Sequence, residues 1–182
     1  MIAARGAEKQ AMAPRPEPWL RGPLPGIPAL LQPVAHALVM SREDVSAALD
    51  GLTTDDLWLE PDGITPLGFH VAHLSGSTDR LFTYARGETL SAAQREILAG
   101  ERLLKTTRPG VEVVLTAWQR TVDASLAQLS STSEVTLLEP RLVGRAQLPS
   151  TVLGLLFHGA EHASRHTGQV VTTAKAVRHF RS

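Results

Sequence analysis

The sequence contains no cysteine. That absence excludes disulfides, thiolate zinc sites and cysteine nucleophiles. Net charge is missing too, because 18 Lys and Arg balance 18 Asp and Glu over 182 residues. A balanced chain has no excess cation to neutralise phosphates, so nucleic acid is not an expected partner. Aromatics are scarce, at three Trp, one Tyr and four Phe, which removes a stacking platform for single strands. No run of 18 apolar residues occurs, so neither a transmembrane helix nor a membrane partner is expected. The opening residues lack the apolar segment of a secretory signal, and a cytoplasmic location is the default expectation.

Proline is present but unevenly placed. Pro14, Pro16, Pro18, Pro23 and Pro25 crowd the start of the chain. Each fixes φ and removes a backbone donor, which excludes regular structure there. Residues 1–27 therefore read as a Pro-rich tail, with Trp19 and Leu20 available to pin its later part to the surface. Residues 28–182 read as one domain, long enough to bury a core without staples.

Apolar periodicity divides that domain into helices. The first runs from Pro28 or Pro33 to Leu52, with Leu38, Val45, Leu49 and Leu52 on one face. His36 near its start reads as a packed or capping histidine. A loop covers 53–64. The second helix takes Thr65 as cap, Pro66 at its first position and Gly87 just past its end. Its apolar residues are Leu67, Val71, Leu74, Leu81 and Phe82. Ser91 and Gln94 form a capping box for a short helix reaching Ala99. Arg108-Pro109-Gly110 breaks the chain. The third long helix covers 111–129, with Val114, Leu115, Trp118, Val122 and Leu126 inward. Residues 135–149 suit a long loop or a small hairpin. The last helix starts at Pro149-Ser150, with Ser150 as cap, and ends near Val177. Gly159 and Gly168 within it cost about 1 kcal/mol each against alanine, which suggests close approach to a neighbour. The fold class is all-α: a four-helix bundle with one short extra helix.

Five of the seven histidines fall in two short windows, His70-Val-Ala-His73 and His158-Gly-Ala-Glu161-His162-Ala-Ser-Arg165-His166. Histidines at i, i+4 and i+8 lie along one stripe of a helix, so two can aim at a common atom. Neutral imidazole offers one lone pair near neutral pH and is the commonest metal ligand. Leu155, Leu156, Phe157, Val170 and Val171 indicate that this helix packs into a core. A single histidine in such a place is more often bonded to a carbonyl. Five in two windows point instead to a metal, and bundles build metal sites from side chains on facing helices.

Two other metal motifs do not fit. His158-x-x-Glu161-His162 matches the H-x-x-E-H pattern of inverzincins, but no Asp or Glu follows Glu161 to serve as the third ligand. A di-iron site wants paired Glu-x-x-His motifs, and Ser164 stands where that histidine belongs.

Gly68-Phe-His-Val-Ala-His73-Leu-Ser-Gly-Ser-Thr-Asp-Arg-Leu, together with His162-x-x-x-His166-x-Gly168-Gln169, resembles the DinB/YfiT-like metalloprotein family over roughly residues 28–178. The resemblance implies a bundle of non-standard connectivity, frequent homodimers and a divalent metal on three histidines, here His73, His162 and His166. Thr167 departs from the family, where arginine is common. His70 and His158 are additional to the motif and stay open between supporting a ligand, replacing one, or core packing. Glu161 is open between orienting a ligand and a surface pair with Arg165, the pair being favoured. Gln169 closes the second motif and is a further candidate near the ligands.

Three imidazoles leave open coordination positions, as catalytic sites do. Zinc or nickel suits an all-imidazole set. Relatives are similar in activating low-molecular-weight thiols such as bacillithiol or mycothiol, and a chain without cysteine would take its sulfur from such a cofactor. The expectation is a metal-dependent enzyme, transferase-like or hydrolytic, acting on a small-molecule substrate. The alternative is a non-catalytic metal-binding dimeric bundle with a binding or stress-related role. No catalytic residue beyond the metal set is assigned.

Overall fold

The computed structural model describes residues 15–181. Expectations for the first 14 residues fall outside that range. Four long helices carry the fold: α1 (Gln32–Leu49), α3 (Leu67–Ala85), α6 (Val111–Ser131) and α7 (Val152–Phe180). Short helices α2 (Thr54–Leu57), α4 (Ala92–Gly100) and α5 (Leu104–Thr107) lie between them. An antiparallel hairpin, β1 (Pro140–Val143) and β2 (Leu148–Thr151), precedes α7. The all-α expectation holds, and the segment before the last helix takes its hairpin form.

α7 packs against both α1 and α3, and α6 packs against the same two. The order around the bundle is therefore α1–α7–α3–α6. Chain order differs, so the connections α1 to α3 and α6 to α7 both cross a diagonal. The expected non-standard connectivity is present. The core is the inward stripe of each helix: Leu38, Val45 and Leu49; Leu67, Val71 and Leu74; Val114, Trp118, Val122 and Leu129; Leu155, Leu156, Val170 and Val177, all buried. Each such Leu or Val contributes roughly 1.5–3 kcal/mol by leaving water.

Phe157 was expected among them and is 59% exposed. The reason is phase: α7 buries Leu155, Gly159 and Ala160, and position 157 lies about 200° from both 155 and 159. The two glycines of α7 also differ. A Cβ on Gly159 would stand 2.9 Å from Phe82 Cε2, whereas one on Gly168 would meet nothing within 4 Å. Close approach explains the first glycine only.

Helix ends follow local chemistry. Gly87, at φ +78°, donates to Tyr84 O while Glu88 N–H reaches Thr83 O, closing α3 as the sequence suggests. Ser91 and Gln94 form the expected capping box of α4. Two start positions move. Pro66, rather than Thr65, occupies the cap position of α3. Ser150 lies in β2, paired with Arg141, and Thr151 caps α7 by accepting from Gly154 N–H. The hairpin runs through Thr151, so α7 begins one residue later than expected and the adjoining Thr151 takes the cap. α7 also runs three residues beyond the expected Val177.

Residues after Pro16 lie on the bundle. Pro18 is buried inside a 3₁₀ turn, Pro18–Leu20, where no regular element was expected. Trp19 and Leu20 are both more than half exposed and do not provide the anchor. Arg21 does, donating to both carboxylate oxygens of Glu43 at 2.6 Å. His36 Nε2 lies 3.1 Å from Gly22 O, so this histidine, read as packed or capping, ties the segment before α1 to that helix. No helix among the described residues is long and apolar enough to cross a membrane.

Candidate metal centre

α3 and α7 run face to face, and their small buried residues let them approach. Gly159 on α7 opens that seam, since a Cβ there would stand 2.9 Å from Phe82 Cε2 on α3. Where the seam meets solvent, the two histidine windows converge. One ring nitrogen from each of His73, His162 and His166 lies within 4.8 Å of the others. Ring centroids are 5.3 Å apart for His73–His162, 4.8 Å for His73–His166 and 4.5 Å for His162–His166.

His73 is fixed on its far side. Its Nδ1 lies 2.9 Å from Glu101 Oε2. A carboxylate only accepts, so the proton must be on Nδ1. In neutral His73 the bare lone pair is then on Nε2, and Nε2 lies 3.1 Å from His162 Nε2. Two ligand nitrogens on a tetrahedral zinc, each at its usual bond length, are about 3.3 Å apart. The His73–His162 spacing is close to that of two zinc ligands, and the three imidazoles lie near enough to one another that they could hold a metal ion.

Electrostatics keeps the rings in their ligating form. Burial pushes His166 down to about 4, helped by repulsion from His162, His73 and His70. Burial also lowers His162 and His70, with His73 the next contributor to each. All three are neutral near pH 7. Burial would raise the Glu101 carboxyl, but bonds from His73 and Arg80 outweigh it and hold the group below its ordinary value. Glu101 thus stays an acceptor.

The remaining candidates separate. His70 is buried, and its Nδ1 lies 3.1 Å from His166 Nδ1. It touches the group through His166. His158 is exposed, with Nδ1 3.3 Å from Glu161 Oε2. Glu161 is also taken by Arg165 through two hydrogen bonds, so the favoured surface pair forms. Gln169 is exposed and, with Ile64, Thr65, His70, Arg165 and Thr172, lines a cavity of about 550 Å³. That cavity meets the histidine group through His70. Thr167 is buried and donates to Ala163 O, leaving its oxygen to accept from Ser41 on α1 at 2.5 Å.

Glu101 was missed by sequence reasoning, since it belongs to no periodic motif and lies 28 positions from His73. Arg80 falls within the α3 motif but was given no role there. Phe69 was missed as well; its ring lies parallel to His73 at 5.8 Å between centroids.

Fold and site together define a helical bundle with a polar, histidine-lined centre between two facing helices. The chain belongs to the DinB superfamily, whose sequence profile matches residues 37–170. The matched span includes all three histidines of the group. A comparison with curated proteins finds none that matches.

Proposed function

We propose that the protein is a metal-dependent enzyme of the DinB type, with His73, His162 and His166 holding one divalent ion, zinc or nickel. The observation carrying this reading is the convergence of three imidazole nitrogens within 4.8 Å. A divalent ion held there would supply Lewis acidity that lowers the pKa of a bound water or thiol. His70 supports His166, and the adjacent cavity of about 550 Å³ has the size of small-molecule sites. A low-molecular-weight thiol is the nucleophile favoured over water, since the chain has no cysteine of its own. The protein acts as a homodimer in this reading; exposed Ile97, Leu103 and Val113 offer apolar contact surface. The test is a screen of zinc- and nickel-loaded protein against electrophilic small molecules, with and without added thiol. Turnover that needs both thiol and His162 supports the proposal.

One observation favours a second reading. His70 Nδ1 lies 3.1 Å from His166 Nδ1, so a fourth imidazole stands beside the group. A metal closed off by a fourth protein ligand is structural rather than catalytic. The protein would then be a non-catalytic metal-binding bundle with a binding or stress-related role. Tight metal binding with no turnover in the same screen favours it.

A further inference from the structure

α4 has no buried residue, so core formation does not explain it. It is nonetheless fastened to α3: Gln94, from the capping box, donates through Nε2 to Asp79 Oδ2 and Thr83 Oγ1, both at 2.7 Å. The next turn after α4 delivers Glu101 onto the same helix. There Glu101 bridges two partners two turns apart, Oε2 accepting from His73 Nδ1–H at 2.9 Å and Oε1 from Arg80 Nη1 at 2.8 Å. The side chains of Arg80 and Glu101 are only 11% and 14% exposed. Both lie over Gly76, where a Cβ would stand 2.8 Å from Arg80 Nη1 and 3.1 Å from Glu101 Oε1. The glycine of the His73-Leu-Ser-Gly76 motif therefore leaves room for this ion pair.

We propose that Glu101 is a positioning residue for His73: clamped by Arg80 over Gly76, it holds the proton on Nδ1 and so keeps the Nε2 lone pair aimed at the centre. The inference rests on the metal reading above. α4 is then a carrier that brings this carboxylate to the site. A carboxylate accepts from both donors at once. A glutamine has one acceptor for the same two donors. If its oxygen stays with Arg80, its amide N–H faces Nδ1 and drives the His73 proton to Nε2, blocking the ligand nitrogen.

The test uses the full chain with Glu101→Gln and Gly76→Ala, read two ways. The first readout is the tautomer of His73 in metal-free protein, from long-range ¹⁵N NMR. Wild type should carry the proton on Nδ1, and Glu101→Gln should shift it toward Nε2. The second is the affinity for zinc by chelator competition, which should weaken roughly 10- to 100-fold in both variants. In Gly76→Ala the added methyl displaces two flexible side-chain ends, so melting temperature should change little while affinity falls. Wild-type His73 protonated on Nε2, or zinc affinity in Glu101→Gln within twofold of wild type, overturns the proposal. If wild type binds no zinc at all, the metal reading fails, and the tautomer comparison alone decides the role of Glu101.

Discussion

Acidifying the metal-free protein from pH 7 to pH 5 should lower its stability, chiefly through His166. That ring titrates at about 4 in the folded chain against an ordinary 6.5. Between those values the unfolded chain binds a proton that the native chain refuses. The unfolded state therefore binds more protons, and stability falls as pH drops below 6.5, levelling off below about 4. Over the part of that interval above pH 5, the displacement corresponds to at most about 2 kcal/mol. His166 is partly open to solvent, and screening reduces the expected loss to about 1–2 kcal/mol. His162 and His70 are lowered too and act in the same direction. For a domain of this size, that loss is a fall in melting temperature of about 3–8 °C. The carboxylates held low by their partners, Glu43, Asp56 and Glu101, lose their contribution only at lower pH. Asp44, raised by burial and by Glu17 and Glu43, acts in the opposite direction, so the fall between pH 7 and 5 is carried by the histidines. The assay is thermal unfolding in chelator across that range, with His166→Asn alongside. A flat or rising melting temperature on acidification would refute the reasoning, as would an unchanged slope in the variant.

Two more outcomes follow from packing and surface. Gly159→Ala should destabilise by about 1–2 kcal/mol, since overpacking against buried Phe82 exceeds the gain in helix propensity. Gly168→Ala should stabilise by up to about 1 kcal/mol, because its Cβ enters open space; urea unfolding of both variants checks the pair. Light scattering at tens of micromolar should report a homodimer, and a monomer mass would count against that part of the proposed function.

The legible part of the fold was whatever repeats locally. Leu38, Val45 and Leu49, or Val114, Trp118 and Val122, mark their buried faces by spacing alone. The capping box at Ser91 and the glycine at 87 mark ends through bonds made within a few residues. The three central histidines were legible for the same reason on α7, where His162 and His166 are one turn apart. Their meeting with His73 rested on a resemblance, because the approach of α3 and α7 is not encoded in any local period. Glu101 was illegible for that reason too: it sits in an irregular turn and reaches His73 only through the docking of α4. Ser150 shows the reverse case, a sound capping signal displaced by one residue because the hairpin runs on to Thr151. Phe157 shows that an apolar run on a helix includes positions its neighbours turn outward.

Metal content bears most directly on the central claim. Protein purified without a nickel column, stripped and reloaded with zinc or nickel, should hold close to one ion per chain after desalting. His162→Ala should lose nearly all of it, and His73→Ala and His166→Ala most of it, since each removes one of three ligands. Wild-type protein that retains no ion, or full retention in His73→Ala and His166→Ala, would contradict the account.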